Sequence, residues 1–184
     1  MWRVTDKGDQ EARGCFDGHY TRQTPGSPHW LRPGFNYVLR HDDGGGRLAA
    51  IFVWWRPKWE ADVNRQDGLR VVECTVFRRL PSATERGSAL IRAAEDALAW
   101  DASRDALSLD TAGTITGLLT GIGSEATAAH RSPHHPPGWC FRKAGWVESA
   151  KVPSKSSRAD LFLERPWPAP VFAARQPEAF PLFD

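Results

Sequence analysis

The chain has 184 residues, 41% hydrophobic and 25% charged, with 24 Lys plus Arg against 22 Asp plus Glu and a formal net charge of +2. This length and balance predict one folded domain and exclude both bulk disorder and a histone-like polycation. Any contact with nucleic acid has to come from a local patch, because the overall field is weak.

The basic residues are mostly Arg, 19 against 5 Lys, which GC-rich coding explains more readily than phosphate binding. Nine Trp against two Tyr point mainly to core packing. The three cysteines, Cys15, Cys74 and Cys140, form no CxxC pair. That excludes a disulfide framework and a Cys-based zinc site, and it predicts a reducing compartment. The opening MWRVTDKGDQ lacks the apolar stretch of a secretory leader. No run approaches the ~18 apolar residues of a membrane span, so the expectation is a cytoplasmic protein.

A helix is predicted over residues 6–18, capped by Asp6 or Asp9, with Ala12 and Phe16 on its apolar face. Residues 19–34, HYTRQTPGSPHWLRPG, read as an ordered loop because three Pro and two Gly interrupt them. Strands follow at 35–41 and 47–56, joined by the turn DDGGG. Residues 57–68 are irregular, and the apolar run LRVVECTVF (69–77) predicts a central strand. The best helix is 84–101, with Ala89, Leu90, Ala93, Ala94, Ala97, Leu98 and Trp100 on one stripe and Ser82 or Thr84 as cap. A short strand is expected at 105–110, then mostly loop over 111–138, then a short helix at 138–145 stopped by Gly145. Strands at 146–151 and 159–164 close the domain, residues 1–164, and a Pro-rich extended tail occupies 165–184. The fold class is α/β or α+β, with a mixed central sheet flanked by helices.

This order resembles the Gcn5-related N-acetyltransferase (GNAT) fold, and WCFRKAGWVES (139–149) is the stretch most similar to that family. The resemblance places a donor-binding turn over Thr84, Glu85, Arg86, Gly87, Ser88 and Ala89, with Thr84 where the family has Gln or Arg. A helix start offers N–H donors and a dipole suited to a pyrophosphate, here that of acetyl-CoA or another acyl-derived donor. Phe141 stands where the family carries a general-acid Tyr, and a phenyl ring cannot donate a proton.

A narrower resemblance begins at MWRVTDKGDQEARGCFDGHYTRQTPGSP and continues in VECTVFRR and SALIRAA. It is similar to phage proteins of the Mom family, GNAT-like enzymes that hypermodify adenine at N6 with a carbamoylmethyl group and so block restriction. That resemblance implies double-stranded DNA as partner and places His19, Tyr20 and Asp110 at the reacting centre. It also implies iron held by the same three residues, since imidazole, phenolate and carboxylate are reasonable iron ligands. The oligomeric state stays open, a homodimer included.

The residues themselves allow both functional and structural roles. His19 and Tyr20 can equally brace the Pro-rich loop. Asp110, expected to end a strand where the sheet splays, can accept a proton or cap a turn. Glu73 on the central strand is a candidate base, or it pairs with Arg70 or Arg78. Cys74 and Cys140 read as small core residues. Trp54, Trp55, Arg56, Lys58 and Trp59 interleave aromatic and basic groups as a platform for a flipped base would, and burial of the Trp rings is the alternative. His130, His134 and His135 form a His-rich but Pro-stiffened tract, a weak metal signal. Arg22, with Arg32, Arg78, Arg79 and Arg86, can line a phosphate path or serve in salt bridges. Three functions remain: Mom-like DNA modification, ordinary acetyl-CoA-dependent N-acetylation of a small amine or protein, and a DNA-binding anti-restriction module without chemistry.

Overall fold

The computed structural model describes residues 1–57, 70–103, 115–123, 134–150 and 161–167. It is a single mixed α/β domain. In chain order its elements are β1 (Trp2–Thr5), α1 (Gln10–Asp17), β2 (Phe35–Asp42), β3 (Leu48–Arg56), β4 (Val71–Arg79), α2 (Gly87–Ser103), β5 (Gly117–Ile122), α3 (Trp139–Ala144), β6 (Val147–Glu148) and β7 (Leu161–Pro166). The seven strands form one sheet in the order β1-β2-β3-β4-β5-β7-β6. Only the β4–β5 pair is parallel. Among the described residues no helix is long and apolar enough to cross a membrane.

Both faces of the central strands are covered, which is why β3 reads as a near-continuous apolar run. On one face α2 sets Leu90, Ile91, Ala94 and Leu98 against Leu39, Phe52, Trp54, Val72 and Cys74, joined by Phe141, Ala144 and Trp146 from the α3 region. On the other face α1 sets Ala12, Cys15 and Phe16 against Val38, Ile51, Val53 and Val76. Helix α1 begins at Asp9, whose side chain accepts the Ala12 N–H, so Asp9 rather than Asp6 is the cap.

Three expectations change. The first strand, β1, goes unpredicted because WRVT is short and half polar; its edge position needs only Trp2 inside, where Nε1 donates to Leu90 O at 2.8 Å. Helix α2 starts at Gly87, and neither Ser82 nor Thr84 caps it; the Thr84 hydroxyl donates to Glu85 instead. Strand β5 lies within 111–138, a stretch expected to be mostly loop. The strand expected at 105–110 and the tail beyond Trp167 lie outside the described residues.

Candidate functional site

Strands β4 and β5 run side by side only from Val71↔Gly117 to Cys74↔Thr120. Beyond that point β5 stays with β7, while β4 continues to Arg79 paired with β3 alone. The departure coincides with an irregularity. Val53 faces Val76 and Trp54 faces Cys74, leaving Thr75 as an extra residue that bends β4. At the fork the Thr120 hydroxyl donates to Cys74 O at 3.1 Å and ties the last paired rung.

The opening is a cleft of about 1060 Å³. Its floor is Cys74, Thr75 and Thr120, and one wall is the start of α2 with Arg86, Gly87 and Ser88. Trp139, Cys140, Phe141 and Lys143 of α3 line it too, as do His19 and Tyr20 from the end of the α1 region. Leu80 N–H donates to Ala49 O across β3. Strand alternation therefore turns the peptide groups of Phe77 and Arg79 the other way, toward the cleft. At the α2 start, Ala89 and Leu90 both donate to Arg86 O. The N–H groups of Gly87 and Ser88 precede those bonds and remain available at the positive end of the helix dipole. Gly87 permits a close approach: a Cβ there would lie 3.2 Å from Cys140 Cβ, so α3 would have to give by a few tenths of an ångström.

The cleft gathers His19, Tyr20, Arg86, Gly87 and Ser88, five of the residues singled out in the sequence. Thr21 N–H donates to His19 Nδ1 at 3.3 Å, and the Thr21 hydroxyl lies 2.8 Å from the same nitrogen. Nδ1 is thus placed to accept the Thr21 N–H. The Tyr20 ring packs on His19 with centroids 4.4 Å apart, and His19 stacks on Phe16. His135, weighed from sequence only as a weak metal signal, stacks at 4.6 Å on Trp139, which sequence reasoning missed as a site residue, and both line the same cleft.

Other candidates are placed elsewhere. Trp54 is fully buried, and its Nε1 donates to Ala94 O at 3.2 Å, so no ring face is left for a base. Trp55 donates to Pro33 O, with the Arg32 guanidinium 5.5 Å above its ring, and Arg56 covers Phe35. All three sit on the part of β3 that pairs away from the opening of the fork, so the aromatic-basic platform is not at the cleft. Lys58 and Trp59 lie outside the described residues. Glu73 is buried and pairs with an Arg, Arg32, at 3.1 Å. It does not line the cleft, so its role as base loses its placement. Arg22 is an internal brace rather than a phosphate contact. Its side chain is 5% exposed, binds Asp17 at 2.7 Å, and donates to Ser27 O and His29 O.

Thr84 stands outside the cleft, and its neighbour Glu85 is drawn away from it, with Oε1 3.0 Å from His41 Nε2. The strand beside the fork is β5, ending at Ile122. Asp110, earlier in the chain, lies outside the described residues. Among the described residues no three His, Cys, Asp or Glu side chains gather to hold a metal ion. Cys74 is a core residue as expected, whereas Cys140 is half-buried. Burial raises the thiol pKa of both.

No protein-family model and no curated protein matches the sequence. Solved structures do match in shape. Gcn5 of Tetrahymena superposes with a TM-score of 0.54 at 11% identity, over 94% of this chain and 98% of that one. The chain has the GNAT fold. A Klebsiella pneumoniae protein named for acyl-CoA N-acyltransferase activity gives 0.55 at 14% identity, over 91% and 97%. Spermidine N-acetyltransferase of Vibrio cholerae, in complex with CoA and spermine, gives 0.51 at 12%, over 91% and 95%. In GNAT terms the cleft is the fork of the central sheet, and its α2 wall coincides with the turn that the resemblance marked for the donor.

Proposed function

We propose that the chain is an acyl-CoA-dependent N-acyltransferase, with the donor held on the α2 side of the fork and the acceptor amine on the His19–Tyr20 side. The observation that carries this reading is the parting of β4 and β5 after Cys74 and Thr120 with the start of α2 at its rim. The residues present fit the donor. The N–H groups of Gly87 and Ser88 suit phosphate oxygens, and Arg86 and Lys143 add positive charge to the lining. When bound, an acyl-CoA supplies a thioester carbonyl that an amine attacks, the C–N bond forming as the C–S bond breaks.

The chain's own part is to orient and polarise. Peptide groups on the open edge of β4 offer hydrogen bonds to an oxygen that gains charge. Phe141 brings no proton to the cleft; its ring packs edge-on against Phe77 and Trp146. The Cys140 thiol beside it is held protonated near neutral pH by burial. Titration calorimetry with acetyl-CoA, followed by transfer of labelled acetyl to a panel of amines, tests the proposal. Saturable binding is expected, and no binding would sink it.

A second reading makes the acceptor the N6 amine of adenine in DNA. It is favoured by the position of His19 and Tyr20, the pair on which the Mom resemblance rests, at the same cleft as the donor turn. Mass spectrometry of nucleosides from cells expressing the chain decides between the two. A heavier deoxyadenosine that disappears in the His19→Ala, Tyr20→Phe double variant supports DNA modification. Unmodified DNA alongside acetylation of a small amine or protein rejects it.

A further inference from the structure

Two consecutive arginines close strand β4, and neither side chain is used by the proposed transfer step. Arg78 and Arg79 point to opposite faces of the sheet, as neighbours on a strand must. Arg78 reaches the α1 side, where Nη1 donates to Cys15 O at 2.7 Å. Cys15 lies in the last turn of α1, whose terminal carbonyls have no helical partner and carry the negative end of the dipole. The same guanidinium fills the space over Gly18, where an added Cβ would stand 2.1 Å from Nη1. Gly18 directly precedes His19 and Tyr20.

Arg79 reaches the other way. Its Nε donates to Glu85 O at 2.7 Å and its Nη2 to Ala83 O. One planar fork therefore holds two carbonyls of the turn that leads into Arg86, Gly87 and Ser88. Both arginines line the cleft, and among the described residues neither forms an ion pair with a carboxylate. Their charge is directed at backbone carbonyls, where a charge-assisted bond is stronger than a neutral one.

We infer that Arg78 and Arg79 are paired positioning residues: Arg79 sets the donor turn, and Arg78 sets the lip that carries His19 and Tyr20. Both rims of the cleft are thereby hung from one two-residue segment, just beyond the bend at Thr75. The inference rests on the acyl-transfer reading for its functional consequence, though not for its structural one.

The test compares Arg78→Gln, Arg79→Gln and Gly18→Ala by amide hydrogen exchange on the full chain, with coenzyme A affinity measured alongside. Arg79→Gln removes the fork that holds both carbonyls and is expected to speed exchange over 83–88 and to weaken coenzyme A about tenfold, while 15–22 stays unchanged. Arg78→Gln and Gly18→Ala are expected to speed exchange over 15–22, raise the acceptor KM and leave coenzyme A affinity unchanged. Arg78→Lys is expected to keep most of the wild-type behaviour, because a single carbonyl is bound there. Arg79→Lys is not, because an ammonium cannot present the planar fork to two carbonyls. Exchange that changes equally in both segments, or in neither, overturns the inference. If the wild-type chain binds no coenzyme A, the acyl-transfer reading falls, and the exchange pattern still decides whether the braces exist.

Discussion

The two sides of the cleft are held in place by different physics. Behind the α2 wall lies the larger apolar core, and the wall itself is backbone brought close by a missing side chain at Gly87. The α1 side has a smaller core, and its loop is fixed by charged groups turned inward. Arg40, 8% exposed, binds Asp9, Glu11 and Asp42, while Arg22 gathers Asp17 and two loop carbonyls. Behind the α2 wall changes of volume should cost most, and in the α1 loop loss of a buried charge should cost most.

The sharpest way to break the contrast is to overfill the packed wall. Gly87→Val pushes into Cys140 and should weaken coenzyme A by about ten- to a hundredfold in a calorimetric titration, with circular dichroism unchanged. On the other side, Arg22→Ala leaves Asp17 and the Ser27 carbonyl without their guanidinium. Urea unfolding should show a loss of about 2 kcal/mol, while coenzyme A affinity holds.

Titration sharpens the same contrast, since the two sides respond to pH with opposite sign. Behind the packed wall, Glu95 is buried, accepts Trp146 Nε1 at 2.6 Å and pairs with Arg165 at 3.1 Å. Burial outweighs these partners and pushes its pKa from 4.5 up to about 7. Its contribution to stability is complete below the unfolded value and is lost as pH rises through about 7. On the α1 side, burial opposes ionisation of Asp9, Asp17 and Asp42. Hydrogen bonds from backbone N–H groups to Asp9 and Asp17, and from Arg22, Arg40 and Arg3, nevertheless hold all three below the usual carboxylate value. Their contribution is present above that value and is lost on acidification. Glu95→Gln should therefore flatten the decline in melting temperature between pH 4.5 and 7 and leave the acid limb as it was. The smallest expected effect is that of Phe141→Tyr. Its added hydroxyl should raise kcat by less than the ~10²-fold that a positioned acid typically supplies. A kcat unchanged across pH would show that departure of the thiolate does not limit turnover.

The fold was legible wherever burial leaves a strong periodic mark. Strands β2 and β3, helix α2 and the stop at Gly145, whose φ is +99°, follow from apolar pattern and glycine placement. Strand β5 was not legible: GLLTGI carries two glycines and no alternation, because Leu118 and Leu119 bury opposite faces of a central strand. The strand that parts from β4 therefore runs to Ile122, and Asp110 lies outside the described residues. Within the site, the α2 wall could be read because its donors are backbone groups fixed by a local turn. The partners of Glu73 and Arg22 could not, because ion pairing depends on which loop arrives overhead.

By itself the sequence determined the class of fold, whereas the candidate donor turn and the candidacy of His19 and Tyr20 came from family resemblance. Local pattern, turn chemistry and helix polarity act over a few residues and are written in order along the chain. Only the tertiary structure decided that His19 and Tyr20 share a cleft with Gly87 and Ser88, and that Trp54 is core rather than platform. It also decided that Arg78 and Arg79 divide between two rims. Those outcomes depend on where β4 bends and parts from β5, and that geometry is set by contacts between segments distant in sequence.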